Sequence, residues 1–164
     1  MRGTSGEKAI ANYGSVASWV AGPGYALYNG TKFACTGITE ALALELAPFD
    51  IKATSIEPGY FRTDFLHGGA VVKLKVQLKE YDETAVGEVR SMLNKMNNNQ
   101  RGDVIKGCRV IVDILTHSGV AEGRDIPVRI ALGSDAPPMI LKKIKETVEL
   151  LTEWEDITTS TDHE

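Results

Sequence analysis

Tyr28 and Lys32 lie four residues apart in the segment YALYNGTK (25–32). Residues at positions i and i+4 share one face of a helix, so the lysine ammonium can reach the phenol ring. A free tyrosine, with a pKa of about 10, is a poor base at neutral pH, but a nearby cation favours the phenolate. The pair could therefore move a proton to or from a substrate oxygen. Taken alone, it is better interpreted as a half-exposed helix face on which Lys32 lies against Tyr28.

The residue pattern around this pair predicts the elements that would position it. Apolar residues at helical spacing predict a helix from about 25 to 46, which Pro48 ends. Short apolar segments on either side predict strands at 8–14 and 51–57.

Strands and helices continue to alternate along the rest of the chain. The sequence predicts a helix near 83–96, a helix over 104–117 with Asp103 as its cap, a strand at 126–132 and a last helix from 135 to about 154. The polar tail, 157–164, is expected to fray. This alternation predicts a single α/β domain over 1–164, a partial Rossmann-type parallel sheet of about three strands with packed helices.

Other reactive residue types follow the predicted strands. Ser15 comes directly after the first strand, and Pro58-Gly59 ends the second, with Thr63 four residues later. Ligands of open parallel sheets bind outside the carboxyl ends of the strands. We therefore expect Ser15 and Thr63 to converge with the tyrosine–lysine pair on one rim. Each has a simpler interpretation as well, since serine, threonine and Pro-Gly commonly form turns and caps.

Composition excludes several classes of function. A net charge of −4 and a pI near 5.4 disfavour nucleic acid as a partner. The sequence contains no apolar run long enough to cross a membrane, and its first ten residues lack the apolar core of a signal peptide. Cys35 and Cys108 lie far apart and predict reduced thiols in a cytoplasmic protein. The three histidines are scattered, so no metal site is expected.

The motifs, taken in order, resemble those of the short-chain dehydrogenases/reductases over nearly the whole chain. IANYGSVASW (10–19) resembles the family's serine strand, and YNGTK (28–32) resembles its Y-x-x-x-K motif. EPGYFRT (57–63) resembles its P-G-x-x-x-T segment, and GRDIPVRIALGSDA (123–136) its last strand. Each motif alone is weak evidence for the family, whereas the whole set, in this order and spacing, is strong evidence.

The resemblance implies an oxidoreductase that interconverts small-molecule carbonyl compounds and secondary alcohols with NAD or NADP. It implies that Tyr28 is the catalytic acid/base and that Ser15 binds the substrate oxygen. Tyr28 and Lys32 would also contact the cofactor, with Lys32 binding the nicotinamide ribose. Thr63 would bind the carboxamide, with the backbone at Pro58-Gly59 beside the ring.

The resemblance fails in the phosphate-binding half of the family's cofactor site. Such a site needs a glycine-rich turn between a strand and a helix. The nearest segment, GPGYAL (22–27), contains a proline and has no strand leading into it. The asparagine of the family's catalytic tetrad also has no counterpart. We therefore expect the C-terminal part of such an enzyme, beginning just before its fifth strand. The alternative is a catalytically inactive relative that acts as a dimerising or binding subunit.

Two further expectations come from the resemblance. Residues 60–101 would form a lid over the substrate, with Trp19, Tyr60 and Phe65 as apolar contacts. Helices near 25–46 and 103–117 would mediate association with a second copy or with a relative.

Overall fold

A computed structural model describes residues 6–66 and 76–163 of the chain. It contains a three-stranded parallel sheet in the order β1 (Lys8–Tyr13), β2 (Ile51–Pro58) and β3 (Arg129–Leu132). Lys8 lies opposite Ile51, and Ser55 lies opposite Arg129. The predicted fold class, a partial Rossmann-type parallel sheet with packed helices, is confirmed.

Within residues 6–66 and 76–163, five α-helices accompany the sheet. They are α1 (Ala26–Leu46), α2 (Ala85–Met96), α3 (Val104–Leu115), α4 (Ala136–Glu153) and α5 (Glu155–Thr159). Side chains cap two of them, since Thr84 accepts a hydrogen bond from Val86 N and Asp103 accepts one from Lys106 N. Residues 67–75, which include part of the expected lid, lie outside the described residues.

Three differences from the prediction stand out, and the first two have a local reason. The strand predicted at 126–132 begins at Arg129, because Pro127 has no N–H to donate to the sheet. Helix α3 ends two residues early, because His117 adopts a left-handed conformation with φ of 50°. The tail expected to fray instead forms α5 over part of its length.

The core lies around the central strand β2. Ile51, Ala53 and Ile56 are buried there, and α1 packs across β1 and β2. Ser55 and Glu57 are also fully buried on one face of this strand, which gives it a polar side, and Thr54 is fully buried on the opposite face. The two outer strands, β1 and β3, are half-buried.

The first turns of α4 close a second cluster beside the sheet. Val16, Ala136 and Ile140 are buried there, with Trp19 and Met139 packed against them. None of the helices in the described ranges is both long and apolar enough to span a membrane.

Candidate active site

The parallel sheet brings the carboxyl ends of its strands to one edge. Ser15 lies two residues beyond β1, Gly59 directly follows β2, and Asp135 lies three residues beyond β3. Helix α1 begins at Ala26, so its first turns carry Tyr28 at the same edge. The predicted positions of Ser15 and Pro58-Gly59 at a common edge are confirmed by the parallel pairing.

Lys32 lies between the phenol ring of Tyr28 and the end of β1. Its Nζ is 5.7 Å from the centroid of the Tyr28 ring. The same ammonium donates a hydrogen bond of 2.8 Å to the carbonyl oxygen of Tyr13. The bond to the last residue of β1 directs the lysine toward the rim, so the tyrosine–lysine pair is more than a contact along one helix face.

Ser15 begins a short 3-10 turn, residues 15–18, that we call the serine turn. The Ser15 hydroxyl accepts a hydrogen bond of 3.1 Å from Ala17 N. The Ser15 backbone N–H donates to the hydroxyl of Ser18 over 3.2 Å, and that hydroxyl donates to the carbonyl of Lys32 over 2.9 Å. The serine turn is therefore bonded to α1 at the turn that carries the lysine.

Asn29, the residue after Tyr28, also bonds α1 to the segment that follows β1. Its buried side-chain amide donates to the carbonyl oxygens of Ala17 and Val20, at 2.9 and 3.2 Å. Its oxygen accepts a 3.2 Å bond from Gly22 N. This role is not among the predictions from sequence. The available signal was an asparagine inside a helix, where the residue is unfavourable unless its side chain is used elsewhere.

Thr63 lies in an exposed segment beside Tyr28. Its hydroxyl accepts a hydrogen bond of 3.2 Å from the backbone N–H of Phe65. The ring of Phe65 is 5.8 Å from that of Tyr28, and the ring of Tyr25 is 6.5 Å from it on another side. The segment after β2 therefore reaches the predicted reactive phenol.

Asp135 holds the backbone that follows β2. Its carboxylate accepts a bond of 2.8 Å from Tyr60 N, and Gly59 N donates to the carbonyl of Leu132 over 2.8 Å. A Cβ at Gly59 would overlap the Asp135 carboxylate, so a larger residue there would displace this carboxylate from Tyr60 N.

Tyr60 lies partly buried at this edge. Burial raises the pKa of its phenol above the ordinary value, and the nearby Tyr25, Asp135 and Tyr28 raise it further. Tyr60 is therefore an uncharged side chain at neutral pH, with aromatic neighbours on the same rim.

A buried carboxylate, Glu57, lies one residue before Pro58-Gly59. It accepts hydrogen bonds from Trp19 Nε1 at 2.6 Å, from Thr36 at 2.9 Å and from Ser55 at 3.1 Å. The Arg129 guanidinium pairs with it at 3.0 Å and stacks on the Trp19 ring at 3.7 Å. The structure thus places Trp19, expected from sequence as a substrate contact, in a buried cluster with Glu57. This cluster joins the segment after β1 to α1, β2 and β3.

Gly14 lies against the buried polar side of β2. A Cβ at this position would come within 2.6 Å of the Ser55 hydroxyl and 3.0 Å of the Thr36 hydroxyl. The close approach of backbone to strand therefore explains glycine at the position before Ser15.

The described ranges contain no group of three His, Cys, Asp or Glu side chains placed to hold a metal ion. The thiols of Cys35 and Cys108 are free.

Comparison with known proteins shows which proteins this chain resembles in sequence and in fold. The family model for short chain dehydrogenase matches residues 1–69. A solved short-chain dehydrogenase from Streptomyces avermitilis shares 31% sequence identity, with a TM-score of 0.77, over 94% of this chain and 53% of that one. In sequence and in fold, this chain is similar to the short-chain dehydrogenases.

Two more relatives indicate the breadth of the similarity. Oxidoreductase BOA17 of Botryotinia fuckeliana is 28% identical over 127 residues, which cover 77% of this chain and 43% of the relative. A short chain dehydrogenase/reductase from Burkholderia phymatum, solved in complex with NAD, shares the fold at 19% identity and a TM-score of 0.60, over 93% of this chain and 50% of that one. The chain thus spans about half the length of the relatives that it matches.

Proposed function

We propose that this chain provides the catalytic rim of an NAD(P)-dependent oxidoreductase that interconverts carbonyl compounds and secondary alcohols. The observation that carries the proposal is the position of Lys32. Its ammonium lies 5.7 Å from the Tyr28 ring centroid and is bonded to the last residue of β1, two residues before Ser15.

Tyr28 would act as the acid/base. Its phenol would give a proton to the carbonyl oxygen of a substrate, or take one from an alcohol in the reverse direction. The Lys32 ammonium would stabilise the phenolate that forms. The Ser15 hydroxyl accepts its bond from Ala17 N through a lone pair, so its own hydrogen remains for the substrate oxygen. That bond would stabilise charge that develops on this oxygen.

The residues at the rim fit the nicotinamide end of NAD or NADP. Lys32 uses one of its three hydrogens on Tyr13, which leaves two for the hydroxyls of a ribose. Thr63 accepts a bond from Phe65 N and keeps its hydroxyl hydrogen for a carboxamide. Tyr28 and the backbone at Pro58-Gly59 would lie beside the ring. When bound, the nicotinamide would supply or accept the hydride.

Aromatic side chains around the phenol favour a hydrophobic substrate. Tyr25 and Phe65 contact the Tyr28 ring, and the uncharged Tyr60 lies nearby. Residues 60–101 would act as the lid over this substrate. Within them, the turn Asp64–Leu66 carries Phe65 to the rim, and α2 lies further along the chain.

Exposed apolar residues support association of the helices near 25–46 and 103–117. Leu27, Ile38 and Leu44 on α1 are exposed, as are Ile105 and Val112 on α3. Such surfaces commonly mark contacts with another chain, which here would be a second copy or a relative.

Binding of the reduced cofactor tests this proposal. We expect saturable heat release when the purified chain is titrated with NADH or NADPH in a calorimeter. Lys32→Ala should weaken binding at least tenfold, whereas Lys52→Ala, an exposed lysine at the start of β2, should leave it unchanged. Absence of binding, or equal effects of both substitutions, would contradict the assignment.

Turnover of a small hydrophobic ketone tests the acid/base itself. Tyr28→Phe should reduce the rate by about 10²–10⁴-fold, the contribution typical of a positioned proton donor, and should leave cofactor binding in place. Tyr25→Phe is the matched control, because it removes a neighbouring phenol from the same rim. An unchanged rate in Tyr28→Phe would refute the role of this tyrosine.

A further inference from the structure

Helix α4 carries an apolar stripe that the rest of the described chain leaves exposed. Its first turns are covered, since Ala136 and Ile140 are buried. Beyond them, four apolar residues follow at intervals of three, four and three positions. Their exposed fractions are 65% for Leu141, 42% for Ile144, 55% for Val148 and 62% for Leu151. This spacing is the heptad pattern by which two helices pack along a shared seam.

Charges on α4 are ordered along its length. Lys142, Lys143 and Lys145 precede the midpoint of the stripe, and Glu146, Glu149 and Glu153 follow it. Ion pairs of 3.7 Å join Lys142 to Glu146 and Lys145 to Glu149. Parallel packing of two such helices would align like charges, whereas antiparallel packing brings the basic half of each helix beside the acidic half of the other.

The stripe also matches a second copy of itself that runs in the opposite direction. A two-fold axis beside Glu146 would place Leu141 opposite Leu151 of the second copy and Ile144 opposite Val148 of the second copy. All four apolar positions are then matched in one register. We propose that α4 docks antiparallel against α4 of a second copy of this chain.

The contact is small, and this determines its strength. Four apolar side chains from each copy would bury less than the roughly 1,200 Å² that marks stable specific interfaces. We therefore expect a reversible dimer that dissociates on dilution. The contact uses neither the rim that carries Tyr28 nor the apolar surfaces of α1 and α3.

Sedimentation across a concentration series tests the docking surface. With the exposed surface of α1 disabled by Ile38→Glu, the chain should still change from monomer to dimer as concentration rises. Val148→Glu should raise the dissociation constant at least tenfold, because it buries a charge opposite Ile144 of the second copy. Leu150→Glu is the matched control: Leu150 is equally exposed on the same helix, but lies off the stripe, and its substitution should leave association unchanged. Circular dichroism checks that both variants fold.

Two results would overturn the docking surface. One is a chain that stays monomeric at every concentration. The other is a dimer that survives Val148→Glu but is lost in Ile38→Glu, which would assign the contact to α1.

Disulfide trapping tests the antiparallel orientation. In a background of Cys35→Ser and Cys108→Ser, Leu141→Cys and Leu151→Cys should form a cross-link when the two variants are mixed. Neither should cross-link efficiently alone. Rapid cross-linking of Leu141→Cys with itself would indicate parallel helices and would overturn the proposal.

Discussion

The hydroxyl of Ser18 donates a hydrogen bond of 2.9 Å to the carbonyl oxygen of Lys32. The same hydroxyl accepts a bond from Ser15 N, so a single side chain connects the predicted substrate-binding serine to the helix turn that bears the lysine. The loop before α1 and the first turn of α1 separate these segments in sequence, yet one short side chain holds them together. The rim is therefore positioned by polar contacts close to the reactive groups as well as by packing of the sheet.

Asn29→Ala should destabilise the chain by about 1–3 kcal/mol, the cost of leaving buried polar groups without partners. The substitution removes the bonds to the carbonyls of Ala17 and Val20 and to Gly22 N. Thr31→Ala is the control, because its hydroxyl bonds only locally to the exposed carbonyl of Tyr28. Urea unfolding measures the stability of both variants. Equal losses of stability would show that the buried hydrogen bonds of Asn29 do not stabilise the chain.

Glu57→Gln should cost about 3–5 kcal/mol, because it leaves the Arg129 guanidinium partly buried without its carboxylate. Glu40→Gln removes the other carboxylate on Arg129, which is 3.0 Å away but exposed, and should cost at most about 1 kcal/mol. Thermal or urea unfolding distinguishes the two. Addition of Arg129→Met to Glu57→Gln should restore part of the loss, and failure to do so would mean that the charge pair is not the cause.

Gly30→Ala should stabilise the chain by about 0.5–1 kcal/mol, the helix preference of alanine over glycine. A Cβ at Gly30 meets open space, so nothing opposes the gain. Gly14→Ala should instead destabilise the chain, because its Cβ would lie 2.6 Å from the Ser55 hydroxyl. Denaturant midpoints of the two variants provide the measurement, and a gain in both would contradict the close approach at Gly14.

The unfolding free energy should fall at alkaline pH partly through Tyr60. Burial raises the pKa of this phenol in the folded chain above the value of 10.0 expected when unfolded. The folded state thus favours the neutral form, so this contribution is complete below about pH 10 and is lost as the pH rises through the folded pKa. Tyr60→Phe should show a shallower fall than the natural chain above pH 10. Parallel curves for Tyr60→Phe and the natural chain would refute the effect.

The sequence predicted the order of elements well because its signals were local. Helix α1 was expected from 25 to 46 and runs over Ala26–Leu46, since Pro48 and helical spacing lie in the segment itself. The strand that ends at Pro58 was likewise marked by its own residues. The shared edge of Ser15 and Gly59 followed from parallel pairing, which strand–helix alternation implies.

The supporting contacts of the rim were not predictable in the same way. Glu57 bonds to Trp19 and Arg129, which lie 38 and 72 residues away in the chain. Asn29 and Ser18 act across the loop before α1, where no periodic pattern indicates which side chain turns inward. Trp19 was therefore expected at the substrate, whereas its indole N–H is satisfied by a buried carboxylate that only the folded sheet brings near.

The bond between Lys32 and the Tyr13 carbonyl has a consequence for the entropy of ligand binding. A lysine side chain that is ordered loses up to about 2 kcal/mol of rotamer entropy. Because Lys32 is already held at 2.8 Å by the end of β1, that loss is incurred when the chain folds. A ligand that uses the remaining two hydrogens meets a preorganised ammonium, an advantage of up to roughly thirtyfold in affinity over a lysine that is free to move.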